Sequence, residues 1–302
     1  MDNILKNIDD LIRQLYAKLK NQLEYDKKGE LRFLDPNDHR EISAHYGASH
    51  FAASLLILGN EYSDSDAYSR GKELLTSILN RWSKENKLPA YHYDFNNFAF
   101  LLCYSNLKRE DSELKDFVKQ TIINSPDSPH YTINWLPMRM IVNNIRYKWT
   151  AEDRFKKISD RCINLINKAT NSDGGIEDRL PKGISFNLQY DISTLATLLY
   201  AKDLVPDYKF ERGLEFLLEN LAPDGDINYQ GRGCNQIFAW GPWVYILSAC
   251  GKTIELKKSL GYLQKQFPVR ILCRNASLSQ TESRSSPPER PAPQTDPAAD
   301  EQ

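Results

Sequence analysis

Two kinds of helix alternate along this chain, and that alternation narrows its possible folds more than any other feature. Apolar residues recur at three- and four-residue steps in Ile4, Ile8, Leu11, Ile12, Leu15, Leu19 and Leu23, the spacing that lines one face of a helix and leaves the other wet. The same stripe returns from Tyr68 to Trp82, Leu114 to Ile122, Phe155 to Ile166, Phe210 to Leu221 and Leu256 to Phe267. Between the stripes lie segments apolar on nearly every side, at 51–58, 98–104, 135–142, 192–201 and 237–250. A helix of this second kind needs cover all round. Hairpins that pair a wet helix with a dry one supply the cover when the dry helices form an inner ring and the wet ones an outer ring. The pattern therefore predicts an all-α fold, an α/α toroid of helical hairpins forming an incomplete barrel, with ten or more helices. Strands are the rival reading of the short dry runs, but their Ala, Leu and Met content favours helix. Asp66, Asp111, Thr150, Asp207 and Thr253 stand where helix N-caps are expected, each with an oxygen able to accept a first-turn amide.

Charge and composition exclude several function classes. The 39 Lys and Arg against 40 Asp and Glu leave a net charge of -1, which provides no excess positive field to collect nucleic acid or anionic lipid. No apolar run reaches the roughly 18 residues of a membrane span, and the N-terminus lacks the pattern of a signal peptide. Neither a nucleic-acid nor a membrane partner is expected, and the location as written is cytoplasmic. The five cysteines are widely spaced without a CxxC pair, so free thiols are expected rather than disulfides or zinc. His39, His45 and His50 are spaced off the one-face pattern of helical metal ligands, and neither a metal nor another cofactor is expected. From Asn275 the sequence is rich in Ser, Pro, Glu and Gln, a composition that buries too little to fold. The toroid is assigned to residues 1–270 and a disordered tail to 271–302.

An internal echo supports the hairpin reading. Asp173-Gly174-Gly175-Ile176 and Asp224-Gly225-Asp226-Ile227 lie 51 residues apart, each after an amphipathic stripe and before a polar, aromatic loop. Asp26 to Gly29, with Leu31, reads as an eroded earlier copy. Turn chemistry accounts for the Asp-Gly pairs. The loops entering the dry helices carry His45-Tyr46, His92 to Asn97, Asn134-Trp135, Asn187 to Asp191 and Tyr229 to Gln236. Aromatic faces suit the apolar faces of sugar rings, and amides and Arg bind hydroxyls and carboxylates, so a cleft lined in this way suits a carbohydrate chain. Asn and Gln in such loops also serve simply to satisfy backbone groups.

Asn134-Trp135, followed by Asn143-Asn144, resembles the Asn-Trp segment of toroidal polysaccharide lyases of the chondroitin AC and hyaluronate lyase type. The stretch from Asp173 to Tyr190 is similar to their Asp-Gly-Ser-Phe segment leading to a catalytic Tyr, and Tyr229 to Asn235 resembles their Arg-Gly-Arg segment. Heparinase II/III and alginate lyase relatives share the toroid, and His92 to Asn97 resembles the Asn-Asn segment of some alginate lyases. The resemblance implies β-elimination on a uronic-acid polysaccharide. The proton at C5 becomes acidic only when the neighbouring carboxylate is neutralised, a task for Asn134 and Arg232, with Asn97 or Gln189 as further candidates. Tyr190 is the expected acid or base, its phenol lowered by Arg232, and His92 or His130 the expected substitute base. Tyr93, Trp135, Tyr229 and Trp240 are expected as sugar platforms, and Asn96, Asn97, Gln189, Asn235 and Gln236 as further substrate contacts. The His that precedes the Tyr in those lyases has no counterpart in residues 176–190, and no β-sandwich pattern follows the toroid. Two alternatives accompany the lyase reading. One is a toroidal glycoside hydrolase using two carboxylates from Asp94, Asp173, Asp191 and Asp224, and the other a non-catalytic carbohydrate-binding protein.

Overall fold

The computed structural model describes residues 2–34, 46–85, 92–178, 187–229 and 237–266; the tail expected from 271 lies outside them. The chain opens with helix α1 (Asp2–Leu19) and a two-stranded antiparallel hairpin of β1 (Leu23–Tyr25) and β2 (Leu31–Phe33). Ten helices follow: α2 (Gly47–Glu61), α3 (Ser65–Glu85), α4 (Tyr93–Asn106), α5 (Ser112–Asn124), α6 (Leu136–Thr150), α7 (Asp153–Ala169), α8 (Leu188–Tyr200), α9 (Phe210–Glu219), α10 (Trp240–Ala249) and α11 (Thr253–Gln266). Among the described residues each wet stripe and each dry segment falls on a helix over most of its length. The first stripe is an exception at its end: α1 stops at Leu19, and Leu23 begins a strand. Asp26 explains the reversal, because one of its carboxylate oxygens accepts the amides of Lys28 and Glu30 at 2.8 and 2.9 Å and fixes a tight turn there.

The dry helices are α2, α4, α6, α8 and α10. Each packs on the next in that order, while α3, α5, α7, α9 and α11 cover them from outside. The core lies between these layers, built from Leu55 and Leu56 of α2, Phe100 of α4, Met140 of α6, Leu198 of α8 and Trp243 of α10, all essentially inaccessible. Cys103 and Cys162 are buried free thiols within it, and Cys250 is half-buried.

Two buried arginines on α6 pin the loop that precedes it. Arg146 donates to the carbonyls of Ile122 and Ser125 and pairs with Asp127 at 2.7 Å. Two turns toward the N-terminus, Arg139 grips Asp94 of α4 with two bonds, at 3.1 and 2.8 Å, and donates to the Ser128 carbonyl at 2.7 Å. Fork geometry of this kind ties two helices and a loop at fixed angles.

The expected N-caps fare less well. Asp64, not Asp66, accepts a first-turn amide of α3, from Ala67 at 3.0 Å. Asp111 caps nothing with its side chain; its carboxylate instead receives Tyr68 Oη at 2.5 Å and Lys72 Nζ at 2.8 Å. Tertiary partners outbid local ones at that position. Asn187 does cap α8, accepting from the Gln189 amide at 3.1 Å.

The internal echo is real in three dimensions. Gly174 and Gly225 have φ of 99° and 98°. In both turns the backbone closes through the same pair of bonds, Gly174 to Asn171 and Asn171 to Gly175 in one, Gly225 to Ala222 and Ala222 to Asp226 in the other. The earlier copy closes likewise, Gly29 to Asp26 and Asp26 to Glu30. Leu31, Ile176 and Ile227 then plunge into the core at equivalent places.

Candidate functional site

Tyr46 immediately precedes α2, His92 precedes α4 and Trp135 precedes α6. Although widely separated in sequence, the three rings meet: the Tyr46 and His92 centroids are 5.2 Å apart, and those of His92 and Trp135 5.3 Å. Phe95, in the first turn of α4, closes the cluster by stacking on Tyr46 at 4.4 Å and standing edge-on to Trp135 at 5.3 Å. Residues that begin successive inner helices can meet only if those helices run in the same direction, so their entrances share one rim.

Tyr190, in the first turn of α8, reaches the same neighbourhood. Its helix packs on the turn that bears Trp135, and burial holds the Tyr46 phenol above its ordinary value. His50, one turn into α2, lies edge-on to Tyr46 at 5.4 Å, with its Nδ1 3.0 Å from the Tyr46 carbonyl. Burial pushes that imidazole down to about 4, so it is neutral at pH 7.

A polar layer supports the rings. Asn134 and Trp135 sit on a 3-10 turn, Ile133–Trp135, whose first amide donates to the buried carboxylate of Asp178 at 2.9 Å. The Thr132 hydroxyl bonds to the Asn134 side-chain carbonyl. That turn packs on α8, where Gln189 accepts from Asn228 at 3.5 Å.

The structure thus brings together His92, Asn134, Trp135 and Tyr190, with Tyr93 half-buried beside His92 and Gln189 on the same first turn as Tyr190. Other expected site residues are placed elsewhere. Asn96 is buried, engaged by Ser49 Oγ at 2.7 Å and the His92 carbonyl at 3.0 Å, and Asn97 is buried between Ser125 and Pro126. Both satisfy packing and backbone rather than face a ligand. Trp240 is 3% exposed and stacked on Tyr262 at 5.4 Å, so its ring joins α10 to α11 and is no platform. Tyr229 is exposed, its hydroxyl tied to the Asn220 carbonyl at 2.7 Å. His130 is exposed in the loop before α6. Arg232, Asn235 and Gln236, like His39 and His45, lie outside the described residues.

Of the four carboxylates weighed for hydrolysis, Asp94 and Asp191 are buried, and Asp173 and Asp224 lie in turns. Asp94 is held by Arg139. Asp173 and Asp224 occupy the two repeated turns, where Asp224 accepts from the Asp226 amide at 3.2 Å. Asp191 is 1% exposed and accepts the Ile176 amide at 3.2 Å through one oxygen, while the other has no partner. Burial drives its carboxyl up to about 8, so it stays protonated at pH 7. Among the described residues no group of three His, Cys, Asp or Glu side chains is placed to hold a metal ion, and no helix is long and apolar enough to cross a membrane.

Tyr46 and Phe95 lay in the loops read as lining a cleft but were not named as substrate contacts, His50 was weighed only as a metal ligand, and Asp178 was not singled out. For Tyr46 a signal was available: an aromatic residue directly before a dry helix, as at Trp135.

No protein-family model and no curated protein sequence matches the chain. Solved structures do share its fold. An unsaturated glucuronyl hydrolase variant from Streptococcus agalactiae superposes with a TM-score of 0.58 at 12% identity, over 87% of this chain and 78% of that one. An inactive α-1,6-mannanase variant from Salegentibacter sp. HEL1_6, in complex with α-1,6-mannotriose, gives 0.56 at 13% identity over 84% of both chains. A heparin-specific unsaturated glucuronyl hydrolase gives 0.55 at 11% identity, over 87% of this chain and 84% of that one. The fold is an α/α toroid. The three similar toroids are named as hydrolases, whereas the sequence motifs had pointed to lyases.

Proposed function

We propose that this protein binds a sugar chain at the rim of its inner ring and hydrolyses a glycosidic bond in it. The observation that carries the reading is the meeting of Tyr46, His92 and Trp135, from three successive inner helices, at one mouth, with the turn that bears Trp135 packed on α8. Rings, an imidazole and amides offer the two contacts a sugar needs, an apolar face and hydroxyl partners. The likeness in fold to a glucuronyl hydrolase and a mannanase supports carbohydrate as the ligand class.

Hydrolysis fits better than elimination. A tyrosine acting as base must have its phenol lowered by nearby positive charge. The buried guanidinium of Arg139, on α6, is already spent on Asp94. The solved structures that share this fold are named as a glucuronyl hydrolase and a mannanase, and that likeness supports hydrolysis.

A second reading, binding without catalysis, draws on one observation: Asp94, Asp173, Asp191 and Asp224 are all engaged in packing or turns, whereas glycoside hydrolysis ordinarily uses a facing pair of carboxyls. One experiment separates the readings. The protein is incubated with α-1,6-mannan, heparin, chondroitin and hyaluronan while ultraviolet absorbance and reducing ends are followed, and binding is scored by retardation in gels containing each polymer. Hydrolysis of a saturated chain raises reducing ends without a new conjugated double bond. Elimination raises both signals, and binding alone raises neither while retarding migration. Absence of retardation and of both signals with every polymer would overturn the carbohydrate reading.

A further inference from the structure

Two of the three repeated turns sit hard against the outer helix that follows them, and the first does not. A Cβ on Gly174 or Gly225 would lie 2.4 Å from the backbone of Arg212 in α9 or of Lys258 in α11, whereas one on Gly29 would meet nothing within 4 Å. The first turn closes through the same backbone bonds as the others, so what differs is its seat. Gly29 instead lines a cavity of about 590 Å³ between the hairpin, α3 and the start of α5. Neither helix belongs to the inner ring, and no residue of the rim cluster lines the cavity. Its volume falls within the roughly 300–1,000 Å³ of small-molecule sites.

The long wall of the cavity is one face of α3, where Ser69, Lys72, Glu73, Thr76, Ser77 and Asn80 recur at three- and four-residue steps over about 16 Å. Negative charge is in excess, since Glu30, Glu73 and Asp111 face one ammonium, that of Lys72, already paired with Asp111 at 2.8 Å. Glu30 lies 3.6 Å from Arg32, but Glu73 receives only the neutral Tyr25 hydroxyl, at 2.9 Å, which leaves its charge in place. Beyond Glu73 the wall continues with the hydroxyls of Thr76 and Ser77 and the amide of Asn80. Ser77 is 5% exposed, and among the described residues its hydroxyl has no partner. On other helices Ser54, Ser105, Thr121, Thr194 and Thr197 each bond back to the carbonyl four residues before, the way a helical hydroxyl satisfies itself locally. Ser77 does not, and a buried hydroxyl left open at a cavity wall calls for a ligand atom. We propose that the cavity binds an amino sugar, its ammonium held by Glu73 within the surplus negative charge, its hydroxyls by Thr76, Ser77 and Asn80, and its ring against Leu31 and Leu114. A bare polyamine would leave the hydroxyl wall unpaired, and a neutral sugar would leave the carboxylate so. The site is separate from the rim and stands without the carbohydrate reading of it.

The test is calorimetric titration of the full chain, at mildly acidic pH, with β-1,4-linked trisaccharides of glucosamine, N-acetylglucosamine and glucose, which differ only at C2, and with spermidine. The glucosamine trisaccharide is expected to bind, and the other two sugars to bind about tenfold more weakly or worse, because neither presents the charge. Spermidine, with charge but no hydroxyls, is expected to fall short by about as much. Glu73→Gln keeps an acceptor for Tyr25 and should lose about tenfold for the glucosamine trisaccharide. Ser77→Ala should lose about fivefold yet melt close to wild type, since the hydroxyl it removes has no partner in the protein to lose. Thermal melting of both variants serves as the folding control. Equal binding of the three sugars, spermidine binding as tightly as the glucosamine trisaccharide, no binding of that trisaccharide, or full affinity in both variants would each overturn the site. None of these outcomes bears on the rim, whose own test is the polymer assay.

Discussion

The Asp178 carboxylate, on the loop after α7, accepts the backbone amide of Ile133 at 2.9 Å, so one inter-helix loop sets the shape of the entrance before it in the ring. The turn it fixes delivers Asn134 and Trp135 to the rim. Asp178→Ala leaves that amide without its acceptor and is expected to cost about 1–3 kcal/mol in urea unfolding. It should also shift tryptophan emission and weaken sugar binding. Asp178→Asn, which keeps a side-chain acceptor, should restore most of both. Unchanged stability and binding in Asp178→Ala would show that the turn is held by other means.

The Asp94 and Arg139 pair is expected to behave as a structural clamp. Removing one member of a buried pair strands the other charge, at a cost of about 3–5 kcal/mol. Asp94→Ala and Arg139→Ala should therefore each unfold at much lower urea concentration than wild type. The double change Asp94→Leu with Arg139→Met should recover much of the loss. If Asp94→Ala were as stable as wild type yet inactive on the substrate, the carboxylate would be catalytic after all.

Stability should fall as pH rises from 6.5 to 8. Asp191 keeps a proton in the folded state up to about 8, whereas the unfolded chain releases it near the ordinary 3.8. Between those values the folded state binds more protons, and each pH unit removes about 1.4 kcal/mol of stability. His50 acts in the opposite sense: it stays neutral when folded down to about 4, while the unfolded chain takes a proton below 6.5. The two slopes oppose one another between pH 4 and 6.5, and Asp191 alone remains above. Urea titrations across pH 5 to 8.5 should show this shape, and Asp191→Asn should remove the fall above 6.5. A wild-type profile that rises across that upper range would contradict the assignment.

Gly174→Ala and Gly225→Ala should be equally and severely destabilising. A Cβ at either place would lie 2.4 Å from a backbone carbonyl oxygen, of Arg212 in one turn and Lys258 in the other, on top of the strain of φ near 99°. Thermal melts that differ widely between the two variants would mean the turns are alike in shape only.

Helix positions were legible because periodicity depends on local spacing alone. Phe155 to Ile166 reads as one wet stripe and forms α7. The rim was partly legible. His92, Trp135 and Tyr190 stood out because aromatic residues at the entrances of dry helices have few other duties. Asn97 and Trp240 looked identical by that criterion, but their partners, Ser125 and Tyr262, are supplied by other elements, and no spacing rule brings those into view. Asp178 was invisible for the same reason, since its value lies in an amide 45 residues away. Asp111 had the position of a cap and was claimed by Tyr68 and Lys72.

The repeated turns rest on chain that has yet to be made. Gly174 lies against the backbone of Arg212 and Gly225 against that of Lys258, so each turn uses as its floor the outer helix that follows it. During synthesis, which proceeds from the N-terminus, the turn after α7 has no floor until α9 emerges, and the turn after α9 waits for α11. Assembly of the ring therefore trails translation by one full hairpin. Among the described residues the last such step falls to Thr253–Gln266, the stretch on which the preceding turn closes.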